Sequence, residues 1–178
     1  MATSTWILFL DADDIFHKKK IEVMSYFISK NDTIKAIGHA FNLQTDPPFV
    51  INNCWQQILV PKKTTIYQLL VRNWMVTPSL AVAASNKILF NEEMKFAEDH
   101  DFIIRTAEST GIWYLDMPLC SLGRVPLSPG GISASKWKMR KGEMNMYIDY
   151  CRRNRIILAV PVFVIFSLLK HLKAALIN

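Results

Sequence analysis

The chain has 178 residues, of which 51% are hydrophobic, so it is long enough to bury a core and is not a disordered polyelectrolyte. Its cysteines, Cys54, Cys120 and Cys151, lie far apart, which excludes a disulfide framework or a zinc spacing and is typical of a reducing cytoplasm. The formal net charge of +6 is distributed unevenly along the chain. Residues 1–135 carry 12 Lys+Arg against 13 Asp+Glu, whereas residues 136–178 carry 9 against 2.

The first predicted element is a strand over residues 6–10 that runs directly into Asp11, Asp13 and Asp14 (WILFLDADD). Such an apolar run is typical of a strand buried on both faces of a parallel sheet, and ligands bind at the carboxyl ends of these strands. Carboxylates suit Mg²⁺ and Mn²⁺, which leave further coordination positions to substrate phosphates. The run therefore predicts a metal-phosphate site, although acidic residues also simply begin turns.

Helix and strand patterns alternate after this run. Lys18, Lys19 and Lys20 are expected on the solvated face of the first helix. The predicted elements are a helix over 18–30, a strand over 34–41, a helix over 64–73, a strand over 80–84 after Thr77-Pro78-Ser79, a helix over 97–109 ended by Gly111, a strand over 112–115 ended by Asp116 and Pro118, and a long loop over 122–135.

A second acidic cluster, Glu98-Asp99-His100-Asp101, opens the helix over 97–109. Asp101 precedes Arg105 by four residues and is predicted to make a surface pair with it. The alternative is that these acids only complement the helix dipole. Asp99 lies on the same helix face as Phe102, Ile103 and Thr106. If that face packs inward, the Asp99 carboxylate is directed to the edge of a pocket.

The basic tail, residues 136–178, contains the apolar stretch 156–169. This stretch includes Pro161 and is shorter than the roughly 20 residues that a membrane span needs. We expect it to lie on an anionic membrane surface; the alternative is a buried helix docked on the domain. Nucleic acid is not an expected partner, because the cations bracket an apolar block. These cations are Arg152, Arg153, Arg155, Lys170 and Lys173.

The two acidic motifs, Asp-x-Asp after a strand and then Glu-Asp-x-Asp-Phe opening a helix, resemble those of family 2 glycosyltransferases with the GT-A fold. Softer landmarks are Thr77-Pro78-Ser79, Asn91-Glu92-Glu93 and residues 122–135 (LGRVPLSPGGISAS). The resemblance runs from Trp6 to about Ser135. It implies an α/β fold: a partial GT-A, Rossmann-like sandwich over residues 1–135, followed by a helical, membrane-proximal tail over 136–178.

The resemblance also implies the chemistry. The family transfers a sugar from a nucleotide-sugar donor to a saccharide or lipid-linked acceptor, here with inversion, in bacterial cell-surface polysaccharide synthesis on the cytoplasmic face of the cell membrane. The implied roles are Asp11 at the donor nucleotide and ribose, Asp13 with Asp11 on Mn²⁺ or Mg²⁺ at the diphosphate, Asp99 as the catalytic base with Glu98 beside it, and Arg124 and Ser133 on a loop over the diphosphate.

The chain departs from the family because it starts directly at the metal strand, after the part of the family that binds the nucleotide base. We therefore expect a fragment or one piece of a split enzyme, with a separate nucleotide-binding half and an exposed sheet edge. One alternative is a catalytically inactive remnant or membrane-surface binding module. The other is a haloacid-dehalogenase-type phosphohydrolase, but that family has Thr or Val at the position where this chain has Ile15. An EF-hand is disfavoured because Phe16 stands where Gly is needed.

Overall fold

The computed structural model describes residues 4–52, 54–125 and 135–176. The chain divides into two compact units. Unit 1 comprises Met1–Ile88 and Arg105–Val125, and unit 2 comprises Leu89–Ile104 and Pro126–Asn178. The basic tail is thus grouped with the residues around the second acidic cluster.

Unit 1 is built on a mixed sheet in which the central strands β3 and β6 run parallel and the other described pairs are antiparallel. The order is β1-β5-β3-β6-β2, and β4 also pairs with β6. Because β1 and β3 both run antiparallel to β5, the strands β1, β3 and β6 share one direction. The bounds are β1 Trp6–Leu8, β2 Ile15–Phe16, β3 Ala36–Leu43, β4 Lys62–Thr64, β5 Ala81–Ala83 and β6 Ile112–Leu122.

Strand β1 lies at the end of the sheet order and pairs antiparallel with β5. Its three residues are half-buried, and Leu10 keeps 51% of its surface exposed. The prediction of a strand over 6–10 that is buried on both faces was therefore wrong. Apolar runs this short do not by themselves distinguish a central strand from one at the end of the sheet.

Strand β6 continues through Asp116 and Pro118, where the sequence predicts its end. Proline is tolerated because Pro118 lies between the segment that pairs with β4, residues 112–114, and the one that pairs with β2, residues 120–121. The register with β3 also shifts at this point, since His39 faces Leu115 and Ala40 faces Pro118. Proline cannot donate to the ladder, and within sheets it is found at such irregularities.

Helix α1 (Lys20–Lys30) packs on the sheet through Val23, Met24 and Phe27. The short helix α2 (Trp55–Ile58) brings Trp55 edge-on to the Phe27 ring, at 5.8 Å between centroids. This cluster forms the core of unit 1 together with Ile34, Ile37, Leu115 and Leu119.

Helix α3 (Ile66–Val71) begins at a capping box in which Thr65 and Gln68 satisfy each other's backbone N–H groups. Helix α4 (Glu98–Thr110) ends at Gly111, which adopts a left-handed φ of 71°. The predicted helices over 18–30, 64–73 and 97–109 and the predicted strands over 34–41 and 80–84 are therefore confirmed, with shifted ends.

Unit 2 contains the start of α4 and the helices α5 (Lys136–Arg153) and α6 (Val160–Leu176). The two tail helices pack through stacked rings of Tyr147 and Phe163, whose centroids are 4.9 Å apart. Among the described residues, no helix has the length and hydropathy needed to cross a membrane.

Candidate functional site

The first acidic run forms a tight turn rather than a loose loop. The Asp14 backbone N–H donates to the Asp11 carbonyl oxygen over 3.1 Å, which closes the turn directly after β1. Asp11 and Asp13 are exposed on it. The turn therefore presents carboxylates to solvent at the carboxyl end of a strand, as the sequence predicts.

Three chain segments meet at this turn, and each follows one of the strands that share a direction. Gln44 comes directly after β3, and its side-chain amide donates to the Asp13 carbonyl oxygen over 2.7 Å. Gly123 comes directly after β6, and its N–H donates to Asp14 Oδ1 over 2.9 Å. The carboxyl ends of β1, β3 and β6 thus converge, which is where open α/β sheets bind ligands.

Arg124 extends this contact, because its Nε lies 3.2 Å from Asp13 Oδ2. Both side chains remain accessible, at 59% and 50% exposure respectively. The structure therefore brings together Asp13 and Arg124, two residues that are 111 positions apart and that the family resemblance places at the same diphosphate site. It also adds Gln44 and Gly123, which sequence reasoning missed. The signal available was weak: Gln44 follows the predicted strand over 34–41 by three residues, and Gly123 lies at the start of the predicted loop over 122–135.

The glycine at position 123 is needed for this close approach. A Cβ built there would lie 2.2 Å from the Asp13 carbonyl oxygen and 3.1 Å from its carbonyl carbon. Backbone atoms cannot rotate away as a flexible side chain can. The segment after β6 therefore rests directly on the acidic turn because residue 123 has no side chain.

Lys20 is fully buried, which corrects the expectation that the lysine run is a solvated face. Its Nζ donates to the Pro78 carbonyl oxygen over 2.5 Å and lies 3.6 Å from the Phe16 ring centroid. Burial lowers the pKa of Lys20 to about 8. Burial, reinforced by this ammonium group, also lowers the pKa of His39 to about 3. Lys20 thus anchors the segment after the acidic turn to the Thr77-Pro78-Ser79 turn.

The second acidic cluster lies in unit 2, at the start of α4. Glu98 and Asp99 are half-buried, and Asp99 Oδ1 accepts from the His100 N–H over 2.7 Å. The residues predicted to share the face of Asp99 are buried, which confirms that this helix face packs inward: Phe102, Ile103 and Thr106.

Asp101 is 1% exposed, so the prediction that it lies on the surface was wrong. Its Oδ1 lies 3.7 Å from Arg153 Nη1 of α5. A long-range contact of this kind, between residues 52 positions apart, cannot be read from helix spacing. It assigns Asp101 to packing within unit 2.

The described residues contain no cluster of three or more His, Cys, Asp or Glu side chains able to hold a metal ion. The predicted Mn²⁺ or Mg²⁺ site needs fewer, because these ions typically use one or two carboxylates and complete their shells with phosphate and water. Asp11 and Asp13, both exposed on one turn, fit that donor set. Ser133 and most of the predicted loop over 122–135 lie outside the described residues.

No family model matches the sequence, and no curated protein matches it. Solved structures match its fold: the chain has a glycosyltransferase-like α/β fold. Its structural neighbours include the S. aureus glycosyltransferase TarS.

The TarS crystal structure has a TM-score of 0.52 and 16% identity, over 84% of this chain and 25% of TarS. The structure of TarS 1-349 has a TM-score of 0.51 and 16% identity, over 86% and 50% of the two chains. The same fragment in complex with UDP has a TM-score of 0.53 and 17% identity, over 88% and 46%. The chain spans about half the length of the TarS fragment. At these identities the likeness shows the fold.

Proposed function

We propose that this chain is the metal, acceptor and lid portion of a family 2 glycosyltransferase that uses a nucleotide-sugar donor. The observation that carries the proposal is the convergence of Asp13, Gln44 and Arg124 at the carboxyl ends of three strands. The fold supports it, because it matches a glycosyltransferase that has been crystallised with UDP.

The donor diphosphate is assigned to the acidic turn. Asp11 faces the nucleotide and ribose, and Asp13 with Asp11 would hold Mn²⁺ or Mg²⁺. When bound, such a cation supplies positive charge that stabilises the departing diphosphate. Arg124, paired with Asp13 in the structure, and Ser133 supply further contacts to the phosphates.

Asp99 is proposed as the base, with Glu98 beside it. Its carboxylate takes the proton from an acceptor hydroxyl while that oxygen attacks the anomeric carbon of the donor. The bond between the anomeric carbon and the acceptor oxygen forms as the bond between the anomeric carbon and the diphosphate oxygen breaks. The electron pair of the broken bond leaves with the nucleoside diphosphate. Attack from the opposite face inverts the anomeric centre.

The proposed acceptor is a saccharide or a lipid-linked saccharide of the bacterial cell surface, reached at the cytoplasmic face of the membrane. An exposed apolar stripe along α6 supports the membrane contact. Its members recur every three or four residues and are each more than half exposed: Leu158 in the turn before the helix, and Val162, Ile165, Leu169, Leu172 and Leu176 within it. Arg155 precedes the stripe, and Lys173 lies between its last two members. Neither makes an ion pair within the described part of the chain.

The experiment that tests the catalytic assignment compares Asp99→Asn with the parent and with the exposed-loop control Asp32→Asn, each in the enzyme completed by its nucleotide-binding half. Release of UDP is measured from UDP-sugars with Mn²⁺ and a saccharide acceptor library, and UDP binding is measured in parallel. We expect Asp99→Asn to lower turnover by about 10²-fold or more and to leave UDP affinity unchanged. Loss of both quantities, or of neither, would contradict a base at this position.

A further inference from the structure

A groove of about 320 Å³ lies within unit 2. Residues 93–96, which lead into α4, form one wall, and the side chains of Lys138, Lys141 and Asn145 from α5 form the other. The volume is at the lower end of the range of small-molecule sites. The groove therefore has room for a group of about the size of a sugar or a phosphate ester.

The two walls are held together by direct backbone contact. A Cβ built on Gly142 of α5 would lie 2.3 Å from the Phe96 carbonyl oxygen and 2.7 Å from its carbonyl carbon. The helix therefore packs on the chain at Phe96 with no side chain between them. This contact fixes the spacing of the walls, so the groove is formed without a ligand.

The groove carries a net positive charge. Lys95, Lys138 and Lys141 line it and are exposed, against the single carboxylate of Glu93. Within the described ranges none of the three lysines makes an ion pair. Ammonium groups with no protein counter-ion, arranged around a concave site, favour an anionic ligand such as a phosphate.

The groove also has a surface for the apolar face of a sugar. The Phe96 ring lines it and lies 5.9 Å from Lys138 Nζ, and the Asn145 amide adds a donor and an acceptor. An aromatic ring, an amide and neighbouring ammonium groups together suit a sugar that carries a phosphate.

The wall at Phe96 continues directly into the second acidic cluster. Ala97 is buried and adopts a left-handed φ of 58°, a conformation that non-glycine residues rarely adopt, and Glu98 then begins α4. Asp99 follows Phe96 by three residues, so their Cα atoms lie within about 10 Å of each other. The groove wall and the proposed base are thus neighbours along the chain.

We propose that this groove is the acceptor subsite and that the acceptor is a saccharide bearing a phosphate group close to its reacting hydroxyl. The inference rests on the proposed function, because it uses Asp99 as the base. Lys138 and Lys141 bind the phosphate, Phe96 packs against the sugar ring, and the hydroxyl that loses its proton faces Asp99.

The test follows backbone amide signals of the full isotope-labelled chain by NMR during titration with glucose 1-phosphate, glucose or inorganic phosphate. We expect glucose 1-phosphate to shift the signals of Phe96 and Gly142, and to bind at least about tenfold more tightly than either glucose or phosphate. The double variant Lys138→Glu with Lys141→Glu should weaken this binding at least about tenfold. Lys136→Glu, on the same helix but outside the groove, should not change it.

The milder pair Lys138→Gln with Lys141→Gln covers the case in which charge reversal unfolds the chain, and circular dichroism checks the fold of each variant. Unchanged affinity in the folded double variant, glucose binding as tightly as glucose 1-phosphate, or inorganic phosphate binding equally well would overturn the proposal.

Binding of Mn²⁺ and UDP is measured in the same samples. UDP is used at millimolar concentration, because most contacts to the nucleoside are expected from the separate half. If Mn²⁺ with UDP changes the signals of the acidic turn and glucose 1-phosphate does not bind, the acceptor subsite fails while the donor assignment stands. If Mn²⁺ with UDP leaves the acidic turn unchanged, the donor assignment and the proposed function fail.

Discussion

Asp13 is positioned by contacts to both its backbone and its side chain. Gln44 donates to its carbonyl oxygen, and Arg124 lies beside its carboxylate. An aspartate held in this way loses little further conformational entropy when it binds a ligand. At the scale of single residues, the proposed donor site therefore depends on the segment after β6 as much as on the acidic turn.

Gly123→Ala should disturb this segment. The added Cβ overlaps the Asp13 backbone, so the substitution should lower the free energy of unfolding by about 1–3 kcal/mol, as overpacking does. Arg124→Ala is the matched control. It removes an exposed ion pair without a clash and should cost less than about 1 kcal/mol. Urea denaturation measures both, and equal stability of Gly123→Ala and the parent would contradict the close packing.

Lys20 predicts a pH dependence. Burial lowers its pKa from 10.5 to about 8, so between these pH values the unfolded chain binds more protons than the folded one. The free energy of unfolding should therefore rise by about 3 kcal/mol as pH is raised through this window. Below the window it stays lower by this amount, because the buried amine is protonated.

Lys20→Met should lack this rise, whereas Lys18→Met, at an exposed position, should retain it. Burial raises the pKa of Cys120 to about 11, which gives the opposite slope above pH 9. Because Lys20 lowers the pKa of Cys120, the three proteins are compared between pH 8 and pH 9. The measurement is urea denaturation at a series of pH values. Parallel pH curves for the parent and Lys20→Met would show that the ammonium group is not buried.

At the scale of elements, α6 is tied to α5 by the buried carboxylate of Glu143. Ser167 Oγ donates to it over 2.6 Å, and Arg140 and Lys170 form ion pairs with it. Lys170, which the sequence places among the cations that meet lipid headgroups, is thus engaged within unit 2. The tie stabilises the helix that carries the exposed apolar stripe.

Glu143→Gln should weaken the packing of α6 on α5 and lower the free energy of unfolding, because it leaves two partly buried cations without their counter-ion. We expect a loss of about 3 kcal/mol, at the low end for a buried pair because Arg140 and Lys170 keep 19% and 29% exposure. Asp149→Asn, which removes an exposed pair with Arg152, should cost less than about 1 kcal/mol. Hydrogen exchange of the α6 amides would report the loosening, and equal protection in both variants would contradict it.

The elements also show what local patterns can and cannot predict. The end of α4 at Gly111 was predicted, because caps depend on neighbours in sequence, as the capping box at Thr65 also does. The short strands β2 and β4, and the passage of β6 through Pro118, depend on partners far along the chain. Sequence periodicity carries no information about such pairing.

The candidate site follows the same division. The Asp-x-Asp turn and Arg124 were predicted from motifs, and the structure brings Asp13 and Arg124 together. Gln44 and the buried state of Asp101 required tertiary contacts, with Asp13 and Arg153 respectively. Motif reasoning therefore identified charged groups but not the packing that positions them.

At the scale of the whole molecule, the segregated charge and the stripe on α6 predict binding to anionic vesicles that weakens as salt is raised. Ile165→Asp with Leu169→Asp should abolish co-sedimentation with these vesicles, because it places charge in the apolar stripe. Leu89→Asp, at an exposed position outside the stripe, is the control. Retained sedimentation of the double variant would place the membrane contact elsewhere.

We propose above all that the acidic turn binds a metal-bridged nucleoside diphosphate. The most direct measurement adds Mn²⁺ with UDP to the isotope-labelled chain and records which amide signals the paramagnetic ion broadens, with Mg²⁺ as the diamagnetic reference. We predict selective broadening at Asp13, Gln44 and Gly123 that disappears in Asp13→Ala and persists in Asp32→Ala, an exposed aspartate outside the turn. Broadening that is absent, lies elsewhere or survives Asp13→Ala would contradict the account.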